Sequence, residues 1–418
     1  MNINSTPVRL FYGWFVVAAA FAITFVGFGS AYTFSAFLVP LQAEFGASRG
    51  SVSLVFSLAG FLYFGLGVLS GPLADRWGSR PLAVVGMALV GLGLALAGMA
   101  RNLTEVYIAY GLGIGLGVGL SYVPVLGTIQ RWFIRRRGFA SGVAVSGIGV
   151  GTLAMPPLAA LLIESFGWRG AYFVLGALAV VVGVGMALLV VNNPRDRGVG
   201  PDGDPVQTAA QFEPLKGFTV AAAITSPRFI GLYVACLFCS FGVFVPFVHL
   251  VPYAMDHGVV PSVAVYLLAV IGFGSTTGRF LLGGVADRFG RRLSLLAMYV
   301  GMAFAMIIWL IARDLWLLMV FALIYGVFYG GWVALLPAIV MDYFGGRNVG
   351  SLIGILYTSV ALGTLIGPSA AGFAYDLSQS YMLPISASVC ANIIAVVVFA
   401  GTSREPLPES PLRKISNN

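Results

Sequence analysis

Charge is what this chain has least of. Only 9% of its 418 residues are Asp, Glu, Lys or Arg, against 59% hydrophobic ones, where a soluble globular chain carries about a quarter charged. That supply cannot cover a water-exposed surface, so the chain is read as a membrane protein with the lipid bilayer as its surroundings. Histidine and cysteine are scarce too, at two and three. Cys236, Cys239 and Cys390 all stand in apolar stretches, and no further Cys or His lies near the Cys236–Cys239 pair to complete a zinc site. They are read as small buried apolar residues, with no metal and no cofactor expected. Acids are missing where it matters most: all 15 Asp and Glu fall in loops, tails or helix ends, and none at mid-membrane. An intramembrane hydrolase built on paired aspartates is thereby excluded, and nothing brings a serine nucleophile to His249.

What the chain has instead is apolar runs of twenty or more residues, the length of a membrane-spanning helix. A transmembrane barrel would show short alternating segments, so an all-α membrane protein is expected. Twelve spans are read, at roughly 10–37, 50–72, 82–100, 105–130, 138–162, 170–192, 227–252, 262–285, 292–312, 315–341, 349–374 and 382–402. The first run is too long for the core of a cleavable signal peptide and is taken as the first span.

The net charge of +8 is informative through its distribution. With both termini inside the cell, 18 of the 23 Lys and Arg fall on inner segments and four (Arg49, Arg101, Arg169, Arg313) on outer ones. That asymmetry is the topology signal of a multi-pass protein of the inner (plasma) membrane and gives no reason to expect a nucleic-acid partner. Between 193 and 226 the composition turns to Pro, Gly and charge (NNPRDRGVGPDGDPVQ), which reads as a cytoplasmic linker. It separates an N-terminal six-helix bundle, 1–192, from a C-terminal one, 227–403, followed by a tail at 404–418. The halves repeat: GPLADRWGSR at Gly71 and GGVADRFGRR at Gly283 are offset by 212, Phe133 and Phe344 by 211, and the GTL triplets at Gly151 and Gly363 by 212. Two repeated bundles facing each other place a substrate near mid-membrane between them.

One basic residue is left over by the topology count. Arg279 lies inside the eighth span, about two turns before Asp287, Arg288, Arg291 and Arg292. A guanidinium there costs at least ~2.5 kcal/mol on insertion scales and normally faces a cavity with a partner. No acidic side chain is at hand, so the expected partner is an anionic substrate. One buried cation balances one carboxylate, which favours a monocarboxylate over a dicarboxylate.

GPLADRWGSR and GGVADRFGRR resemble the loop signature of the major facilitator superfamily. The resemblance implies its fold of two pseudo-repeated six-helix bundles, with conformational roles for Asp75, Arg76, Arg80, Asp287, Arg288 and Arg292. Beyond it, FYGWFVVAAAF in the first span and RWFIRRRGFASGVAVSGIGVG around the fifth resemble the monocarboxylate transporter family, whose substrate-binding arginine falls on Arg279. That resemblance implies proton-linked transport of lactate- or pyruvate-like anions by a protein that is not an enzyme. The chain departs from the family's pattern in having no lysine in GSAYTFSAF of the first span and Ser275 where an aspartate precedes the arginine.

Around Arg279, the expected cavity residues are Ser275 one turn before it, Tyr32 and Tyr122 from the first half, and Phe328, Tyr329 and Tyr357 from the second. Tyr325, Phe328, Tyr329 and Trp332 recur at three- and four-residue spacing, read as one face of the tenth helix. His249 is the only group within a span that titrates near neutrality and is the proton-coupling candidate. Its flanking Pro246 and Pro252 should free backbone carbonyls for the imidazole. Exchange of organic anions, as in oxalate–formate relatives, is the alternative, though their eleventh-span lysine has no counterpart in GILYTSVALG. A non-transporting sensor is a more remote one. One copy of the chain is expected to be the functional unit.

Overall fold

In lipid every backbone N–H and C=O must find its partner within the protein, so long apolar runs become helices. A computed structural model describes residues 11–205 and 217–402; residues 1–10, 206–216 and 403–418, and the side chains of Arg137, Val285, Asp287 and Thr402, lie outside the described residues. Helix α1 is Gly13–Phe45, and α2 consists of Arg49–Gly65 and Gly67–Trp77 with a 47° bend between them. Next come α3 (Ser79–Gly98) and α4 (Leu103–Trp132), then a continuous 50-residue stretch, Gly138–Ala187. At 1.5 Å per residue that stretch would measure about 75 Å, more than twice the ~30 Å hydrocarbon layer. Gly167, at φ 69° and ψ 169°, breaks it into two crossings, α5 (138–166) and α6 (168–187). The second half runs α7 (Pro227–Asp256), α8 (Tyr266–Phe289), α9 (Arg291–Ile311), α10 (Leu315–Phe344), α11 (Val349–Ser378) and α12 (Met382–Thr402). Counted with both breaks, the described residues hold twelve apolar segments of membrane-spanning length, in line with the hydropathy pattern.

Helices α1–α6 pack as one bundle and α7–α12 as the other, meeting along α2 with α11, α5 with α8, and α1 with α7. Small residues set these contacts, as expected where lipid supplies no hydrophobic drive and close packing must. Gly272 of α8 lies against the backbone of Leu153 and Gly149 in α5, and Gly372 of α11 against the backbone of Gly50 in α2. On its other side α8 is pressed onto α10, where Gly330 has no room for a methyl beside the Ser275 carbonyl. Wedged between the two, α8 holds Arg279 in a fixed place.

The repeated loop motifs form matching tight turns. The helix before each ends at Trp77 or Phe289, and Gly78 (φ 86°) and Gly290 (φ 88°) turn the chain through a region that L side chains avoid. Asp75 pairs with Arg131 of α4 at 3.3 Å, and Arg80 donates to the Val190 carbonyl at 2.7 Å. In the second half Arg291 pairs with Asp342 at 2.6 Å, while Arg76, Arg288 and Arg292 are exposed. Each of these contacts stays within one bundle, at what we call the arginine-rich end.

Residues 193–205 of the linker make specific contacts with the first bundle. Asp202 accepts the Ile134 and Arg135 amides at 3.0 and 2.9 Å, Asp204 pairs with Arg135 at 2.9 Å, and Arg197 lies 4.0 Å over the Tyr12 ring. This segment therefore caps the α4–α5 turn of the first bundle. Gly217 and Phe218, by contrast, attach to the second bundle through Gly345, Phe344 and Asn348.

Replacing Gly330 by Val should lower stability by about 1–3 kcal/mol, because the added atoms meet backbone that cannot yield. Gly350→Ala, where nothing lies within 4 Å, serves as the control. Thermal unfolding in detergent checks this; equal melting temperatures for both variants would show that the α8–α10 contact is not tight.

Candidate substrate cavity

Between the bundles lies a tight cavity of about 20 Å³, enough for about one water molecule. The first half supplies Phe28 and Tyr32 from α1, Phe64 from α2, Tyr122 from α4 and Ile148 from α5. The second half supplies Phe244 from α7, Tyr329, Trp332, Val333 and Leu336 from α10, and Tyr357 and Val360 from α11. Eight of these twelve are aromatic, so the wall is rigid and offers few charges or strong acceptors to a ligand. Tyr32 and Tyr329 share a hydrogen bond of 3.1 Å across the bundle interface, and Phe28 packs edge-on against Tyr122 at 5.0 Å.

Arg279 stands behind this wall, 6% exposed. Its Nη1 donates to the Val145 carbonyl of α5 at 2.5 Å, reaching across from one bundle to the other. Its Nε and Nη2 have no hydrogen-bond partner. The hydroxyls of Tyr329, Tyr122, Tyr32 and Tyr357 all lie within electrostatic reach of the guanidinium. A buried donor without an acceptor costs ~1–3 kcal/mol, more for a charged group. Two such donors on one edge of a guanidinium describe a place for an anion.

The sequence-derived set divides against this geometry. Tyr32, Tyr122, Tyr329 and Tyr357 come together in the cavity lining. Ser275 does not line it: the residue is buried against Gly330, and its hydroxyl has no partner. Phe328 is a correction. Its ring packs on Gly301 of α9, because it sits about 100° around the helix from Tyr329 and so faces away. Tyr325 is also off the wall, stacked 6.1 Å from Tyr329 and donating to the Val243 carbonyl. Phe28, Phe64 and Phe244 line the cavity without having been anticipated, since no spacing along one helix tells which phenylalanine faces a second bundle.

His249 is fully buried, but its partners are not the carbonyls freed in its own helix. Nε2 contacts the Pro368 carbonyl of α11 at 2.8 Å, and Nδ1 contacts the Tyr381 hydroxyl at 3.1 Å. A carbonyl can only accept, so Nε2 carries the proton, and a neutral ring then accepts from Tyr381 at Nδ1. Cys236 and Cys239 are buried beside Tyr299 and Asn392 as small core residues, whereas Cys390, read with them as buried, is exposed on the outer face of α12. Among the described residues no group of three His, Cys, Asp or Glu could hold a metal ion.

Two repeated six-helix bundles around a central cavity, with Arg279 the one buried cation among the described residues, fit a membrane transporter. The sequence profile of the Major Facilitator Superfamily matches residues 19–286 and 230–417, and the chain belongs to that superfamily. Within it the chain is a relative of the monocarboxylate transporters. It is 30% identical over 399 residues to monocarboxylate transporter 11 of Homo sapiens, covering 92% of this chain and 82% of that one. With monocarboxylate transporter 3 of Rattus norvegicus it shares 31% over 401 residues, covering 94% and 80%. The fold is similar to that of a bacterial homolog of the human lysosomal transporter Spinster, in an inward-facing and occupied conformation (TM-score 0.71, 17% identity, 96% of this chain and 100% of that one).

Replacing Tyr329 or Trp332 by Ala should change which small organic anions are accepted, admitting larger ones, whereas Phe328→Ala should lower stability by about 3–5 kcal/mol at most and leave the ranking of substrates unchanged. Competition uptake assays on the three variants test this. A changed ranking in Phe328→Ala alone would return that residue to the cavity.

Proposed function

We propose that this protein is a secondary active transporter of short monocarboxylates such as lactate or pyruvate, working by proton-coupled symport and alternating access. The observation that carries the reading is the free Nε and Nη2 of Arg279. These two donors lie on one edge of the guanidinium plane and match the two oxygens of a carboxylate, a pairing that is strong and directional. The aromatic wall then holds a short aliphatic tail. Obligate anion exchange of the oxalate–formate kind is less well supported, since the described residues offer no second buried cation for a second carboxylate.

The positive-inside asymmetry supports placing the arginine-rich end, and both termini, in the cytoplasm of a cell whose plasma membrane holds the protein. The two bundles then rock about the cavity, joined by 193–226, with the turns at Asp75–Arg80 and Asp287–Arg292 re-packing at the cytoplasmic face. One chain encloses the whole cavity, which supports a monomer as the working unit. Arg279 stays charged at physiological pH and cannot carry the coupled proton. His249 can: it takes a proton from the outer side and releases it when the cavity opens inward.

Arg279→Lys should lower carboxylate uptake at least tenfold in a protein that still folds, because an ammonium lacks the planar fork. Uptake into proteoliposomes, with folding checked by elution profile and melting temperature, is the measurement, and normal uptake would remove Arg279 from the substrate role. His249→Gln should keep substrate exchange while losing acceleration by an inward proton gradient. Full gradient-driven accumulation in that variant would assign the proton to another route.

A further inference from the structure

The end of the cavity away from the arginine-rich face is closed by a cluster that the transport reading does not use. Arg49 opens helix α2. Its backbone amide and that of Gly50 donate to the two carboxylate oxygens of Asp376 on α11, at 2.9 and 2.8 Å. The unpaired amides at the start of a helix from one bundle are thus capped by an acid from the other, where the helix dipole favours a negative charge. The Arg49 guanidinium then reaches back across the interface. It meets Asp256 at the end of α7 through two nitrogens, at 2.6 and 2.8 Å, donates to the Tyr381 hydroxyl at 2.9 Å, and lies 4.0 Å over the Tyr375 ring. The side chain is only 13% exposed, so solvent screens these bonds far less than those of a surface pair. Such a geometry is available because Gly50 and Gly372 let the two backbones touch at this point.

Tyr381 connects this cluster to His249. Its hydroxyl accepts from Arg49 and, with the imidazole neutral, donates to Nδ1. The groups facing His249 are Tyr381 from the α11–α12 turn, the Pro368 carbonyl and the Asp376 charge from α11, and Ser53 and the Arg49 charge from α2. A second proton on the imidazole would give Nδ1 a hydrogen aimed at the hydroxyl that now donates to it. The Tyr381 O–H would have to turn away, and two cations would then flank one oxygen.

We propose that Arg49, Asp376 and Asp256 form a latch that holds this end of the transporter shut, and that protonation of His249 releases it through Tyr381. The release step rests on the reading of His249 as the proton carrier; the latch does not. The closed latch is the state with His249 neutral. Opening of this end is thereby tied to proton uptake from the side that it faces, which is the order a symporter needs.

The test reads distance rather than transport, so its failure and a failure of the carboxylate reading are distinguishable. Spin labels are placed at Thr104→Cys on the first bundle and Leu377→Cys on the second, both exposed at this end, in a Cys390→Ser background that removes the exposed native thiol. Pulsed electron–electron distances are then recorded in lipid nanodiscs at neutral and acidic pH. The parent should show a short distance at neutral pH and a longer population at acidic pH. Arg49→Gln and Asp376→Asn should each raise the longer population at neutral pH, by roughly tenfold in the open-to-closed ratio. His249→Gln should lose the pH dependence, showing the same mixture of short and longer distances at both pH values. Unchanged distances in both latch variants would overturn the latch, and a pH-driven shift that persists in His249→Gln would overturn the release step.

Discussion

The structure depends on a positive charge placed where lipid and apolar side chains would exclude it. Arg279 is buried in mid-bundle, bonded across the interface to the Val145 carbonyl and otherwise without an acceptor. Such a group is tolerated only if the fold holds it firmly and a ligand completes it for part of the working cycle. The first condition explains the glycines of α8, which press that helix against α5 on one side and α10 on the other. The second is the basis of the carboxylate reading. Because the Val145 carbonyl belongs to the opposite bundle, the bond also ties the arginine to bundle motion. A substrate that draws the guanidinium toward the cavity competes with a contact that holds the two halves together.

Aromatic side chains do the remaining work around this charge. The Tyr32–Tyr329 hydrogen bond closes the cavity between the bundles, and the rings of Phe28, Phe64 and Phe244 keep it apolar. An apolar wall raises the weight of the single ionic contact, since attraction between charges grows as the local dielectric falls. It also leaves nothing to neutralise a substrate's ammonium group or second carboxylate. On the proposed reading, selection for one negative charge on a short tail rests on what surrounds Arg279 as much as on the arginine itself.

Much of this was legible in the sequence, for physical reasons that also explain what was not. Span number and order follow from the bilayer thickness acting on apolar runs, and the bundle repeat from an offset of 212 residues between Gly71 and Gly283. Arg279 could be found because an unpaired charge in such a run is rare. The orientation of neighbouring aromatics on α10 was harder: Phe328 and Tyr329 are adjacent in sequence, and only packing against Gly301 decides that the first faces α9. His249 shows the same limit, since its partners Pro368 and Tyr381 lie 119 and 132 residues further along the chain. The acids Asp256 and Asp376 read as loop-end charges, and nothing local reveals that Arg49, 207 and 327 residues earlier, meets both. Contacts between bundles are long-range by construction, and periodicity within one helix does not report them.

The central claim is that one carboxylate and one proton move together through the cavity at Arg279. Its most direct test is uptake by the purified protein in proteoliposomes of a labelled panel: acetate, lactate, pyruvate, oxalate, an amino acid and a sugar, each with and without an inward proton gradient. The account predicts that the short monocarboxylates accumulate above their outside concentration only when the gradient is present, and that oxalate, the amino acid and the sugar do not. Accumulation of the amino acid or sugar, or monocarboxylate uptake indifferent to the gradient, would contradict it.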